Sequence, residues 1–225
     1  MKVLALTHGP SVGPGVFADT IREAGHELEE WAAPFDGHPP RHDALLVLGG
    51  GMHPDEDAKH PWLAREQAFL VDALEREVPV LGVCLGAQML ARAAGASVSR
   101  APEPEIGWYP VELTEPAAAD PLFRDVPQRF DAFEWHHYTY ALPEGAVELA
   151  RSGACTQAFR LGSAWGIQFH AEVTEEQVVR WLEEEPADVA DPAAFRAEVR
   201  RRIGTWNGFG RALSRRFADV VALRP

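Results

Sequence analysis

The segment Gly82-Val83-Cys84-Leu85-Gly86-Ala87-Gln88 has the G-x-C-x-G spacing of a nucleophile elbow. A tight strand-to-helix turn can present a side chain at the edge of a sheet only if its flanking residues are small, and Gly82 and Gly86 supply that room. A helix beginning at Leu85 adds free N–H donors and a positive dipole end. Both stabilise a thiolate, and both stabilise the oxyanion that forms when a thiolate attacks a carbonyl. Such a thiolate needs a base. His170, in Trp165-Gly166-Ile167-Gln168-Phe169-His170-Ala171-Glu172, lies just past a predicted strand, where α/β folds project residues into the ligand crevice. Glu172 can accept the second imidazole N–H, fixing the tautomer and stabilising the imidazolium, so Cys84, His170 and Glu172 form an acyl-transfer triad. The adjacent His136 and His137 have no Cys or acidic residue at ligand spacing, so no metal is expected.

The elements that must position these residues follow from periodicity and breakers. Lys2 to Thr7 reads as a strand ending in His8-Gly9-Pro10, and Gly15 to Ala24 as a helix stopped by Gly25. His26 to Trp31 and the apolar run Asp43 to Leu48 read as strands, the second followed by Gly49-Gly50-Gly51. A helix is expected from Pro61 to Glu77, a buried strand over Val78 to Val83, and a helix over Leu85 to Ala94 with Gly95 as its stop. Strands alternating with helices imply an α/β fold with a mostly parallel central sheet and helices on both faces. Beyond Gly95 come extra short strands: Ile106 to Leu113, Phe130 to Trp135, Ala146 to Arg151, Ala158 to Leu161 and Ala164 to Phe169. A helical C-terminal tail follows, with Thr174 to Glu184, Pro192 to Ile203 and a third segment, Thr205 to Val221, weakened by Gly208 and Gly210. The seven arginines between Arg196 and Arg216 read first as a solvated helix face and second as a dock for an acidic partner.

The 225 residues suit one domain over 1–225, with 174–225 a helical extension, and can bury about 70–75 % of the unfolded surface. A hydrophobic content of 46 % with 24 % charged residues is that of a globular chain, and the two cysteines exclude a disulfide scaffold and favour a reducing compartment. A net charge of −13 disfavours nucleic acid as a partner. The longest uncharged stretch, Val78 to Ala91, is too short for a bilayer span of about 20 residues, and no signal-peptide core is evident. A cytoplasmic protein acting on small molecules or proteins is expected.

The elbow, the strand-end Gln168-Phe169-His170-Ala171-Glu172, the turn Gly49-Gly50-Gly51 and Glu105-Ile106-Gly107-Trp108 together resemble a class I (triad-type) glutamine amidotransferase domain. The resemblance is closest to the glutaminase domain of GMP synthetase and its free-standing relatives, and covers residues 40–175. It implies a flavodoxin-like sheet, no cofactor, and attack of Cys84 on the side-chain amide of glutamine to leave a γ-glutamyl thioester that water cleaves. His170 would be the general base and acid, with Glu172 its orienting partner. The N–H groups of Gly51 and Leu85 would form the oxyanion hole, and Gly50, Gln88, His136 and His137 would contact substrate. Family members usually carry Pro at the position of Ala171 and at that of Gly51. They carry a Gly-Asp pair where this chain has His137 and Tyr138, a change suited to a modified or larger γ-glutamyl substrate.

Three functions are therefore expected in order. The first is a glutamine amidohydrolase delivering ammonia to a synthetase subunit in trans. The second is a free-standing hydrolase of γ-glutamyl amides or peptides, and the third a non-catalytic binding module. No G-x-x-x-x-G-K-[ST] segment is present, so ATP-dependent synthesis by this chain is not expected. Oligomeric state is left open, a homo-oligomer included.

Overall fold

The computed structural model describes residues 1–223; the end of the expected tail, 224–225, lies outside the described residues. Its centre is one nine-stranded sheet in the order β2-β1-β3-β4-β9-β8-β7-β5-β6. The first five are parallel: β2 (Glu27–Ala32), β1 (Lys2–Thr7), β3 (Ala44–Val47), β4 (Val80–Val83) and β9 (Ala164–Ile167). Every residue of β3, β4 and β9 is buried, as continuous apolar runs require when helices cover both faces. The acidic β2 closes one edge of the sheet, its charges blunting an otherwise open row of backbone groups.

The two faces are built by alternation along each strand. Val3 and Ala5 of β1 pack with α1 (Gly15–Glu23), α4 (Glu175–Glu184) and α5 (Pro192–Ala222), whereas Leu4 and Leu6 pack with α2 (Trp62–Glu75) and α3 (Leu85–Ala93). The C-terminal helices are thus part of the core: Val178, Trp181, Leu182, Val199, Ile203, Trp206, Leu213 and Phe217 are all buried in the first of these clusters.

The sheet continues antiparallel through β8 (Thr156–Leu161), β7 (Val147–Arg151), β5 (Val98–Leu113) and β6 (Arg129–Tyr140). Two of these extra strands are long, not short. β5 begins at Val98 despite Pro102 and Pro104, because its register against β6 shifts between Arg100 and Glu105, and a bulge tolerates residues that cannot donate to the ladder. Glycine also misled at the C-terminus, where the two helices expected over 192–203 and 205–221 are one 31-residue helix, α5. Gly208 is exposed and interrupts nothing, and Gly210 is required by a close approach described below. The arginine run ties this helix down. Arg196 pairs with Glu183, Arg200 with Glu175, Arg202 with Asp131, Arg211 with Asp19, Arg215 with Glu23 and Arg216 with Asp125.

Candidate active site

At the C-terminal end of β4 the backbone turns so sharply into α3 that Cys84 takes φ 50°, a left-handed conformation that non-glycine residues adopt only when their surroundings impose it. Those surroundings are glycine-dependent. A Cβ on Gly82 would lie 2.7 Å from the Gly86 carbonyl oxygen, and one on Gly86 would lie 2.0 Å from that of Val47. The Cys84 N–H donates to the Ile167 carbonyl at 2.8 Å, locking the elbow to β9. Leu85 is the first residue of α3, so its N–H has no partner within the helix.

β9 ends three residues before His170, whose N–H donates to the Phe133 carbonyl. The imidazole is 3 % exposed, and its Nδ1 lies 2.8 Å from Glu172 Oε1. A carboxylate can only accept, so Nδ1 carries the proton and Nε2 is left for the sulfur. Burial on its own would lower the imidazole pKa. The charge of Glu172, then Cys84 as charge and as hydrogen-bond partner, outweigh it and hold His170 well above the usual histidine value. The backbone of this segment is gripped from both sides. Val16 N–H donates to the Glu172 carbonyl at 2.9 Å, Trp206 Nε1 to the His170 carbonyl at 2.8 Å, and Asn207 Nδ2 to the Val173 carbonyl at 2.7 Å.

These groups open into a cleft of ≈ 330 Å³ lined by Gly50, Gly51, Cys84, Gln88, His136, His137 and His170. Leu85 and Glu172 lie behind that wall, Leu85 beneath Gly50 and Glu172 behind His170. In the glycine turn, a Cβ on Gly49 would come 3.0 Å from His170 Cε1 and 3.7 Å from Cys84 Cβ, so this residue touches both reactive side chains. Gly51 has open space around it. Gln88 Nε2 donates to the Tyr138 carbonyl and to Gln168 Oε1, and its own oxygen has no protein donor among the described residues.

His136 lines the cleft with both ring nitrogens engaged, Nδ1 by the Tyr138 carbonyl at 3.0 Å and Nε2 by Glu105 Oε2 at 3.1 Å. His137 Nε2 meets Asp188 Oδ2 at 3.0 Å, and Trp135 Nε1 donates to the same oxygen at 2.9 Å. Asp188, in the loop between α4 and α5, thus ties the cleft rim to β6; with Trp181 and Arg100 it belongs to the lining that sequence reasoning missed. Nothing in a loop's composition announces such a role. Among the described residues, one group of potential metal ligands comes together, Glu105, His136 and Cys155. Glu105 Oε2 already accepts from Gln157 at 2.8 Å and Ser152 at 3.1 Å, so internal hydrogen bonds account for this cluster.

The comparisons agree with this geometry. Residues 17–185 match the family model "Glutamine amidotransferase class-I". The chain is 30 % identical over 222 residues, 92 % of its own length and 91 % of the relative's, to the glutamine amidotransferase-like protein YfeJ of Salmonella typhimurium. It is 31 % identical over 161 residues, 68 % of its length, to a glutamine-hydrolysing GMP synthase of Thermosipho africanus, of which the match spans only 29 %. Among solved structures, a glutamine amidotransferase of Thermotoga maritima superposes with a TM-score of 0.88 at 33 % identity, covering 97 % of this chain and 98 % of that one. The chain belongs to the class I glutamine amidotransferase family.

Proposed function

We propose that the chain hydrolyses the side-chain amide of glutamine or a related γ-glutamyl compound, with Cys84 as nucleophile. The observation that carries this reading is the 2.8 Å contact of His170 with Glu172 behind a cysteine held at φ 50° in the same cleft. The Cys84 thiolate adds to the amide carbon, and the oxyanion is received by the N–H groups of Gly51 and Leu85. The imidazolium of His170 gives its Nε2 proton to the amide nitrogen, the C–N bond breaks, and ammonia leaves a γ-glutamyl thioester. Water then attacks the thioester while His170 takes its proton, and the C–S bond breaks to return the thiolate and a free γ-carboxylate. Glu172 keeps the imidazole oriented throughout. Gln88, Gly50, His136 and His137 shape the cleft around the substrate.

Ammonia made this way would serve a synthetase on a separate chain, a reading supported by the GMP synthase relatives. A second reading, hydrolysis of a larger γ-glutamyl amide, is favoured by the extension of the cleft to Arg100, Glu184, Glu185 and Asp188. The test is intact-protein mass spectrometry after incubation with 6-diazo-5-oxo-norleucine. One adduct that disappears in Cys84→Ala is expected, followed by ammonia release from glutamine. An unlabelled Cys84 that still reacts with iodoacetamide would point to the larger substrate, and inertness to both would sink the amidase reading.

A further inference from the structure

His8, at the C-terminal end of β1, and Glu66 of α2 do not line the cleft, and their side chains are 0 % exposed. His8 Nδ1 lies 2.9 Å from the Gly49 carbonyl oxygen, and its Nε2 lies 3.0 Å from Glu66 Oε1. A backbone carbonyl and a carboxylate both accept, so both ring nitrogens donate and the ring is an imidazolium. Burial opposes that charge, but the Glu66 carboxylate and the hydrogen bonds to Glu66 and Gly49 prevail, and the pKa of His8 is raised. Its other neighbours carry no charge. Trp62 stacks on it at 5.6 Å and Phe35 meets it edge-on at 5.7 Å.

A buried ion pair is a weak source of stability, since apolar side chains of similar volume serve a core equally well. What this pair does have is a hold on the glycine turn. Three consecutive glycines form the least restrained backbone a chain can offer, whereas an oxyanion donor must be in place before the charge develops. Two contacts restrain Gly49-Gly50-Gly51. One is the His8 bond to the Gly49 carbonyl, and the other is packing around Gly50, where a Cβ would lie 2.8 Å from both His8 Cβ and Leu85 Cδ2. We propose that His8, charged by Glu66, is a positioning residue that fixes the Gly49–Gly51 turn so that the Gly51 N–H receives the oxyanion. This role rests on the amidase reading above and adds to it two residues that touch neither substrate nor Cys84.

The double variant His8→Phe/Glu66→Met tests it in the full-length chain. It removes both buried polar groups together, keeps the stacking on Trp62, and leaves only the Gly49 tether missing. Turnover of the amide substrate is expected to fall between about tenfold and 100-fold in kcat, the range for a donor displaced by up to about 1 Å. Alkylation of Cys84 by iodoacetamide needs the thiolate but no oxyanion donor, and is expected to stay within about twofold of wild type. His8→Asn in the Glu66→Met background restores a side-chain N–H near the position of Nδ1 and is expected to recover most of the lost kcat. Amide turnover within twofold of wild type in the double variant would overturn the proposal, as would a parallel loss of turnover and alkylation. If the double variant does not fold, Glu66→Gln decides. A neutral His8 can still donate to Gly49 while accepting from the new amide, so turnover near wild type is expected there, and a loss of about 100-fold would overturn the tether. Failure of the amidase reading is seen separately, in a wild-type chain that turns over no γ-glutamyl amide, and the role assigned to His8 falls with it.

Discussion

Gly210, in the middle of α5, lies so close to Ala171 that a Cβ built on it would be 1.9 Å from the Ala171 carbonyl oxygen. From the opposite side Gly15, at φ 47°, approaches the Glu172 carbonyl equally closely. The peptide units between His170 and Glu172 are thereby clamped between two helices, which is how a segment with Ala171 in place of proline is held rigid. Gly210→Ala raises helix propensity by about 1 kcal/mol yet forces α5 away from this segment. Amide turnover is expected to fall by about 100-fold, as for a 1 Å displacement of a reacting group. Gly208→Ala, at an exposed position with free space around it, is expected to raise stability by roughly 0.5–1 kcal/mol with unchanged turnover. Steady-state kinetics and thermal melts on the two variants check this, and equal behaviour would refute the clamp.

Glu172 and Cys84 hold the folded-state pKa of His170 above the usual value of 6.5 against the burial that lowers it. A group raised in the folded state stabilises it fully below its unfolded value, and that stabilisation is lost as pH rises through the folded value. Glu172→Gln removes the larger of the two favourable contributions. The His170 ring signal in NMR is expected to titrate above 6.5 in the wild type and to shift downward in the variant, with the stability difference shrinking as pH rises beyond that interval. Turnover should fall on the order of 100-fold or more, because the tautomer is no longer fixed. An unchanged titration would mean that Glu172 does not govern the imidazole.

Much of this arrangement is legible in the sequence because its causes are local. Gly82 and Gly86 announce the elbow by spacing, and the buried runs Ala44–Val47 and Val80–Val83 announce parallel strands by lacking any polar alternation. Long-range causes leave no such trace. Nothing near Gly210 says that its missing side chain accommodates Ala171, and nothing near Glu66 says that its carboxylate is buried against His8. The extension of β5 through Pro102 and Pro104 depends on a register shift against β6. The continuity of α5 depends on ion pairs with residues as distant as Asp19 and Glu23.

The rim of the cleft gives a further expectation. Asp188 accepts from Trp135 and His137 through one oxygen, so it fixes the loop between α4 and α5 without approaching the reacting atoms. Asp188→Ala frees that loop and is expected to raise KM by roughly threefold to tenfold with little change in kcat, the signature of lost uniform binding. A drop in kcat at constant KM would place Asp188 in the chemistry instead.

Glu134 is 0 % exposed, and neither of its carboxyl oxygens has a hydrogen-bond partner; its nearest polar neighbour is His136 Nε2, at 3.5 Å from Oε2. Burial, reinforced by the nearby Glu105 charge, pushes its pKa well above 4.5, so the folded protein keeps this carboxyl neutral. The folded state then holds a proton that the unfolded chain loses once pH passes 4.5, and stability contributed by this group declines as pH rises toward the folded value. Glu134→Gln supplies a neutral side chain of the same shape. Its melting temperature is expected to match wild type at or below pH 4.5 and to exceed it at pH 7, with the gap widening in between. Because a neutral Glu134 exerts little field on Cys84 and His170, the pH profile of turnover should be unchanged. A variant that is less stable at pH 7, or one whose pH profile moves, would show that Glu134 is ionised beneath the reactive pair.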